Sequence, residues 1–209
     1  MSILLSPKTL PSLEEPLWLP GPESPSLPID ELHLWRVCIE EPRWSPTEEC
    51  PVSRDCGERI KTSIFRRDII ERYAGRFPRP GIVTGPSSGF RVDVAQCDHL
   101  ALIAVSRNVR EVGLDLERVR DDIPFEEMAD GFLDPHSQWD LRITWSKQEK
   151  AWKFFRFWTS NEACAQARPS SQAVQRCRLT GFSPEADFIA ALAVQGGPNP
   201  EVLYWDWQC

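Results

Sequence analysis

The chain is 209 residues long, 41% hydrophobic and 26% charged, with a formal net charge of −7. That length admits a buried core in one ordinary domain or two small ones, and it excludes both a tiny disulfide scaffold and a multidomain machine. The acidic balance argues against the broad basic surface that nucleic-acid backbone binding requires, and leaves room for a small anionic ligand in a local basic patch.

No apolar run approaches the roughly 20 residues that span a bilayer, and the opening MSILLSPKTLPSLEEP lacks a basic start followed by a long apolar stretch, so a cytoplasmic protein without membrane contact is expected. Cys38, Cys50, Cys56, Cys97, Cys164, Cys177 and Cys209 are odd in number and scattered, with no C-x-x-C pair. Free thiols in a reducing compartment follow.

In chain order, ten of the 19 prolines fall in the first 51 residues. Each fixes φ and removes a backbone donor, so residues 1–30 read as a Pro-rich extended arm rather than a packed element. Residues 32–39 alternate, with Trp35, Val37 and Ile39 on one face, as in a half-buried strand. Pro42, Pro46 and Pro51 then enforce a loop. Residues 54–79 read as a helix through Ile60, Ile64, Ile69, Ile70 and Tyr73. That window holds eight basic residues (Arg54, Arg59, Lys61, Arg66, Arg67, Arg72, Arg76, Arg79) against four acids, net +4. Such a run is either a solvated helix face or a phosphate-binding patch.

Prolines and glycines between residues 78 and 89 break the chain again. Strands are expected over 90–94, 100–105 and 112–117, helices over 125–133 and 143–167, the second ended by Arg168-Pro169, and strands over 188–194 and 202–207. The fold class is α/β (α+β), with two similar lobes, 31–108 and 109–209. The nine Trp read as core and interface packing. His33, His99 and His136 are isolated and read as structural or surface residues.

Two elements carry the chemistry. In Val112-Gly113-Leu114-Asp115-Leu116-Glu117 the period-2 pattern puts Gly113, Asp115 and Glu117 on one face, and two carboxylates about 6.6 Å apart along a strand can share one hard cation such as Mg2+. A solvent-facing edge with acids for solubility is the alternative. The helix from Lys150 carries an apolar stripe through Ala151, Phe154, Phe155 and Trp158, whose next positions are Glu162 and Ala165. A carboxylate on a core-facing stripe needs a partner, which Asp115, Glu117 and a cation would supply; otherwise the stripe fades and Glu162 faces solvent.

The strand motif, followed by Phe155-Arg156-Phe157-Trp158-Thr159-Ser160-Asn161-Glu162-Ala163, resembles the G-[VIL]-D-[VIL]-E and F-x-x-W-[ST]-x-K-E-[AS] signatures of the 4′-phosphopantetheinyl transferase superfamily, of the two-lobed surfactin-synthetase-activating type. Residues 32–39, 98–105 and 188–194 resemble further strands of that family, and Phe132-Leu133-Asp134-Pro135 resembles its F-[FL]-[ST]-P helix start with Asp134 in the Ser/Thr place. The resemblance implies two pseudo-twofold lobes with coenzyme A in the cleft between them, acting as a monomer. It implies Mg2+-dependent transfer of the phosphopantetheine arm of CoA to a serine of an acyl, peptidyl or aryl carrier protein, releasing adenosine 3′,5′-bisphosphate. By position Asp115, Glu117 and Glu162 match the Mg2+ ligands, with Glu162 also the base for the carrier serine, and Arg66, Arg67 and Arg72 fall where the family binds the CoA 3′-phosphate.

The departures all lie on the ligand side. The family's Ser-His pair is Ala95-Gln96 here, its two lysines are Asn161 and Gln166, and the 81–86 segment that stands for its G-K-P loop has no lysine. Gln96 can donate a hydrogen bond but carries no charge. Lys147, Lys150 and Lys153 read as a solvated flank. Two readings stand: an enzyme, weakened by these losses, or an inactive family member that binds a carrier protein or another partner.

Overall fold

The structure, a computed structural model, describes residues 13–39, 54–74, 90–107, 111–167, 177–196 and 199–207, and within 54–74 the side chains of 63–73. The loop of Pro42, Pro46 and Pro51, the side chains of Arg54, Arg59 and Lys61, Arg76, Arg79, the 81–86 segment and Arg168-Pro169 lie outside the described residues. The elements in chain order are β1 (Leu19–Pro20), β2 (Glu31–Cys38), α1 (Arg54–Ala74), β3 (Phe90–Cys97), β4 (Leu100–Arg107), β5 (Glu111–Arg118), α2 (Phe125–Phe132), α3 (Pro135–Ile143), α4 (Lys147–Gln166), β6 (Arg178–Phe182), β7 (Phe188–Gln195) and β8 (Glu201–Asp206). The fold is mixed α/β. The chain divides into two compact units: Trp18–Asn108 with Pro200–Cys209, and Met1–Leu17 with Val109–Asn199. No helix among the described residues is long and apolar enough to cross a membrane.

The first unit holds a five-stranded sheet in the order β1-β8-β2-β4-β3. The sequence reading grouped residues 202–207 with the second lobe, but β8 runs parallel to β2, with Trp205 opposite Trp35, and Arg36 clasps Asp206 through Nε at 2.7 Å and Nη2 at 2.9 Å. β2 is paired on both sides, and it is not half-buried: Leu32, Leu34, Trp35 and Val37 are all fully buried. Its alternation still sorts the faces. Trp35, Val37 and Ile39 join Ala101, Ile103 and Val105 of β4 and Ile69 of α1 in one core, with Phe65 and Tyr73 against it.

The described part of the Pro-rich arm, residues 13–30, is packed rather than loose. Leu27 is part of the same core, and Leu19–Pro20 pairs with Trp205 and Asp206. Trp18 meets Tyr204 edge-on at 5.3 Å and lies under the Arg36 guanidinium at 4.6 Å. Proline blocks helix and sheet-interior positions but not the burial of the apolar side chains between prolines.

His33 is structural, and its hydrogen bonds show how. Tyr73 Oη accepts the Trp35 Nε1–H at 2.7 Å, so its own proton goes to His33 Nδ1 at 2.8 Å. That leaves His33 Nε2–H to donate to Glu31 at 2.9 Å. The tautomer is the one this network requires, and the ring is neutral. Burial pushes the imidazole below its ordinary value, against the pull of Glu31, and burial likewise raises the Tyr73 hydroxyl well above the usual phenol range. The last turns of α1 are thereby bonded to β2.

The second unit is built on the sheet β5-β7-β6, with α2, α3 and α4. The helix expected over 143–167 is α4, starting four residues later at Lys147, and a separate helix, α3 over Pro135–Ile143, precedes it. Asp134 caps α3 by accepting the N–H groups of His136 at 2.9 Å and Ser137 at 3.2 Å, with Pro135 in the first turn. Thr144 is then extended, and Ser146 restarts the helix by accepting the Glu149 N–H at 3.3 Å. The Ser146-x-x-Glu149 pattern is a capping box that the sequence reading passed over. Burial would raise the Asp134 carboxyl, but the hydrogen bonds from Ser137 and His136 outweigh it and hold the group below its ordinary value.

The buried, neutral His33 makes stability pH-dependent in a definite direction. As pH falls through the ordinary imidazole value of 6.5, the unfolded chain takes up a proton that the buried ring resists, so stability drops until the lowered folded value is reached. The urea midpoint should fall between pH 7 and pH values below that ordinary value, and His33→Gln should flatten the slope. An equal slope in the variant would assign the acid sensitivity to other groups.

Candidate metal centre

A Cβ added to Gly113 would lie 2.0 Å from the Ala163 carbonyl oxygen and 2.6 Å from the Ala167 nitrogen. The backbone of α4 therefore rests directly on β5, a contact only glycine permits at this point. The face of β5 that carries Gly113 looks at α4, and strand alternation puts Asp115 and Glu117 on that same face. On β7, Ala193 opposite Gly113 and Ala191 opposite Asp115 pack with Ala163, Cys164 and Ala167. Ile189, opposite Glu117, packs instead with Ala151, Phe154 and Phe155. The helix thus runs antiparallel to β5, its C-terminal end over Gly113.

Helical phase then locates Glu162. The buried positions of α4 are Ala151, Phe154, Phe155, Thr159, Ser160, Ala163 and Cys164, so the core-facing stripe passes from Phe155 to Thr159 and Ala163 rather than from Trp158 to Glu162 and Ala165. Ala165 is exposed and Glu162 is half-buried, on a flank. At about 100° per residue, Glu162 and Cys164 fall on opposite flanks of the helix about Ala163. Cys164 leans toward β6, packing with Cys177 and Leu179. Glu162 therefore leans toward β5.

Gln166 gives the same answer directly. It is one turn after Glu162 on the same flank, and its Oε1 accepts the Leu114 N–H at 3.3 Å. Four residues of helix rise about 6 Å and two residues of strand about 6.7 Å. Stepping back one turn along α4 from the Gln166–Leu114 contact brings Glu162 level with Leu116, between Asp115 and Glu117. All three carboxylate residues are half-buried. In the side-chain positions of this structure their oxygens do not all lie within 4.8 Å of one another. Asp115 and Glu117 on β5 and Glu162 on the helix that packs against it are hard oxygen donors, a set whose chemistry suits Mg2+.

The cations named from the sequence have structural contacts. Arg72 stacks on Trp207 at 3.8 Å, lies 5.7 Å from the Trp35 ring and donates to the Pro22 carbonyl at 3.0 Å. Arg67 is 66% exposed and faces Asp68 at 3.3 Å and Glu71 at 3.6 Å. Arg66 is half-buried, and Gln96, also half-buried, is opposite Ala101 on the edge strand β3. The lysines of α4 are less a solvated flank than a set of ties. Lys147 faces Asp121 at 3.6 Å, Lys150 pairs with Glu126 of α2, and Lys153 bonds Asp140 at 3.2 Å and Thr144 at 2.9 Å. Asn161 is half-buried beside Glu162. Sequence reasoning missed the packing role of Gly113 and the bond made by Gln166. A glycine inside an alternating strand was the available signal for the first; for the second, nothing in the sequence marked an acceptor for a strand amide.

No protein-family model matches the chain. Among curated proteins it is similar to the 4′-phosphopantetheinyl transferase HetI of Nostoc sp. (strain PCC 7120 / SAG 25.82 / UTEX 2576), 28% identical over 177 residues that cover 72% of this chain and 73% of that protein.

The Gly113 contact is open to a direct test. Gly113→Ala would force α4 off β5 and should destabilise the protein by about 3 kcal/mol in urea unfolding, since neither clashing atom belongs to a flexible side chain. A loss below about 1 kcal/mol would mean that the helix can shift at little cost.

Proposed function

We propose that this chain is a cytoplasmic, monomeric 4′-phosphopantetheinyl transferase that uses Mg2+ to move the phosphopantetheine arm of CoA onto a serine of an acyl, peptidyl or aryl carrier protein. What supports this reading most is the order and type of Asp115, Glu117 and Glu162, two on β5 and one on the helix packed against that strand, in a chain 28% identical to a phosphopantetheinyl transferase over 177 residues.

On this reading Asp115, Glu117 and Glu162 hold the cation. A bound Mg2+ would neutralise charge on the diphosphate and its leaving group. Glu162 takes the proton from the carrier serine hydroxyl as that oxygen attacks the phosphorus bearing the pantetheine arm. The bond to the second phosphate breaks, and adenosine 3′,5′-bisphosphate leaves. Arg66 and Arg67 are assigned the CoA 3′-phosphate. Arg72, the third member of that set, already uses its guanidinium on Trp207 and Pro22. Gln96 offers an amide donor where the family has a histidine.

A second reading, a non-catalytic relative that binds carrier proteins, is favoured by a specific observation. Gln166 and Arg72, two positions where a phosphate-binding cation would be expected, are occupied with internal contacts. One experiment separates the two. The protein is incubated with Mg2+, CoA and a panel of apo carrier proteins, and intact mass is recorded. The enzyme reading expects a phosphopantetheine mass gain that falls by about a hundredfold or more in Glu162→Ala, and likewise in Glu117→Ala. Carrier binding by calorimetry with no mass gain would establish the second reading, and a normal rate in both variants would overturn the site.

A further inference from the structure

We propose that Gln166 is a positioning residue for the carboxylate site: its amide oxygen, by taking the Leu114 N–H, sets the height of the outer flank of α4 over β5 and so holds Glu162 level with Asp115 and Glu117. This inference rests on the carboxylate reading of the preceding section. Three observations carry it. The Gln166 Oε1 to Leu114 N distance is 3.3 Å, and β5 is an edge strand of its sheet. Gly113, next to Leu114, fixes how closely the helix backbone approaches the strand at one point, and the Gln166 bond adds a second tie there that resists roll of α4. Glu162 and Gln166 are four residues apart, on one flank, so a tie at Gln166 removes that roll for Glu162 as well.

The chemistry of the side chain is what makes the tie possible. A backbone N–H needs an acceptor, and lysine, the residue the resemblance expects at this position, has only donors. Glutamine supplies the acceptor without adding negative charge one turn from three carboxylates. Replacing lysine by glutamine therefore exchanges a cation for a hydrogen bond that braces the metal helix. Gln166 is solvent-exposed, which makes its substitution tolerable for folding.

Two readouts test the proposal on the full chain without depending on turnover. Amide hydrogen exchange at Leu114 should accelerate in Gln166→Leu and stay slow in Gln166→Glu, which keeps an acceptor. Mn2+ binding, followed by the spectrum of the free ion, should weaken about three- to tenfold in Gln166→Leu, the range expected for one hydrogen bond. In a Glu162→Gln background the same substitution should have no further effect on Mn2+ affinity, because Gln166 acts through Glu162. Unchanged exchange at Leu114, unchanged Mn2+ affinity, or an equal loss in both backgrounds would each overturn the proposal. A wild-type chain that binds no Mn2+ would instead overturn the carboxylate reading, while the exchange result would still report on the tie itself.

Discussion

The second unit depends on one missing side chain. Where Gly113 meets Ala163 and Ala167, helix backbone replaces the side-chain layer that normally separates a helix from a sheet. Everything near that point is correspondingly small: Ala191 and Ala193 on β7, Ala163, Cys164 and Ala167 on α4. Farther along the helix the gap widens and is filled by Phe154, Phe155 and Ile189, with Phe125, Leu133 and Leu141 of the preceding segments behind them. The helix is therefore inclined to the sheet, close at its C-terminal end and propped at its N-terminal end. Inclination and phase together decide that a polar flank, rather than a bulky apolar one, overlooks the Asp115 and Glu117 face.

The first unit solves a different problem, holding a helix of mixed composition on a sheet. Among its described side chains α1 buries Ile69 and Ile70, with Phe65 and Tyr73 packed against the core that holds Ile69, and directed bonds add to that attachment. Tyr73 links Trp35 to His33, and His33 links onward to Glu31, which leaves no polar hydrogen of that chain unassigned. Arg72 closes the same end of the helix by lying on Trp207. Cation–π contacts of a partly desolvated arginine contribute about 1–2 kcal/mol. The abundance of tryptophan thus has a local reason: Trp35, Trp205 and Trp207 are the platform on which α1 is mounted.

How much of this was legible in the sequence varies with the physical cause. Strands β2, β4, β5 and β7 were readable because apolar runs and alternation reflect burial directly. The break between α3 and α4 was hidden because Ile143 and Trp145 look like a continuing helix, and only the capping chemistry of Asp134 and Ser146 shows otherwise. The pairing of β8 with β2 is a long-range choice that no local pattern encodes. For the site, the residue types and their order were visible, but the phase of Glu162 was misjudged. A stripe extended from Trp158 ignores that Trp158 itself is only half-buried, stacked on Phe132 at 4.3 Å rather than seated on the sheet. Thr159 marks the true continuation, a polar residue that reads as surface until its hydroxyl is seen bonded back to the Phe155 carbonyl at 2.9 Å.

Charge is used in this protein largely for construction. Lys150 and Lys153 on α4 reach acids of α2 and α3, Arg36 joins β2 to β8, and Arg72 seats α1. Exposed pairs of this kind contribute little individually, about 0–1 kcal/mol, so their effect here is to orient helices rather than to stabilise the fold. A polyanionic ligand would have to compete for cations already partnered, Arg67 with Asp68 and Glu71 among them. A bound divalent cation would relieve the mutual repulsion of half-buried acids on one flank, and the Gln166 bond keeps them at one level without adding to their charge. Packing sets both apart: Asp115 lies on the strand that Gly113 and Gln166 tie to α4, while Lys150, Lys153, Arg36 and Arg72 lie where helices and strands are anchored.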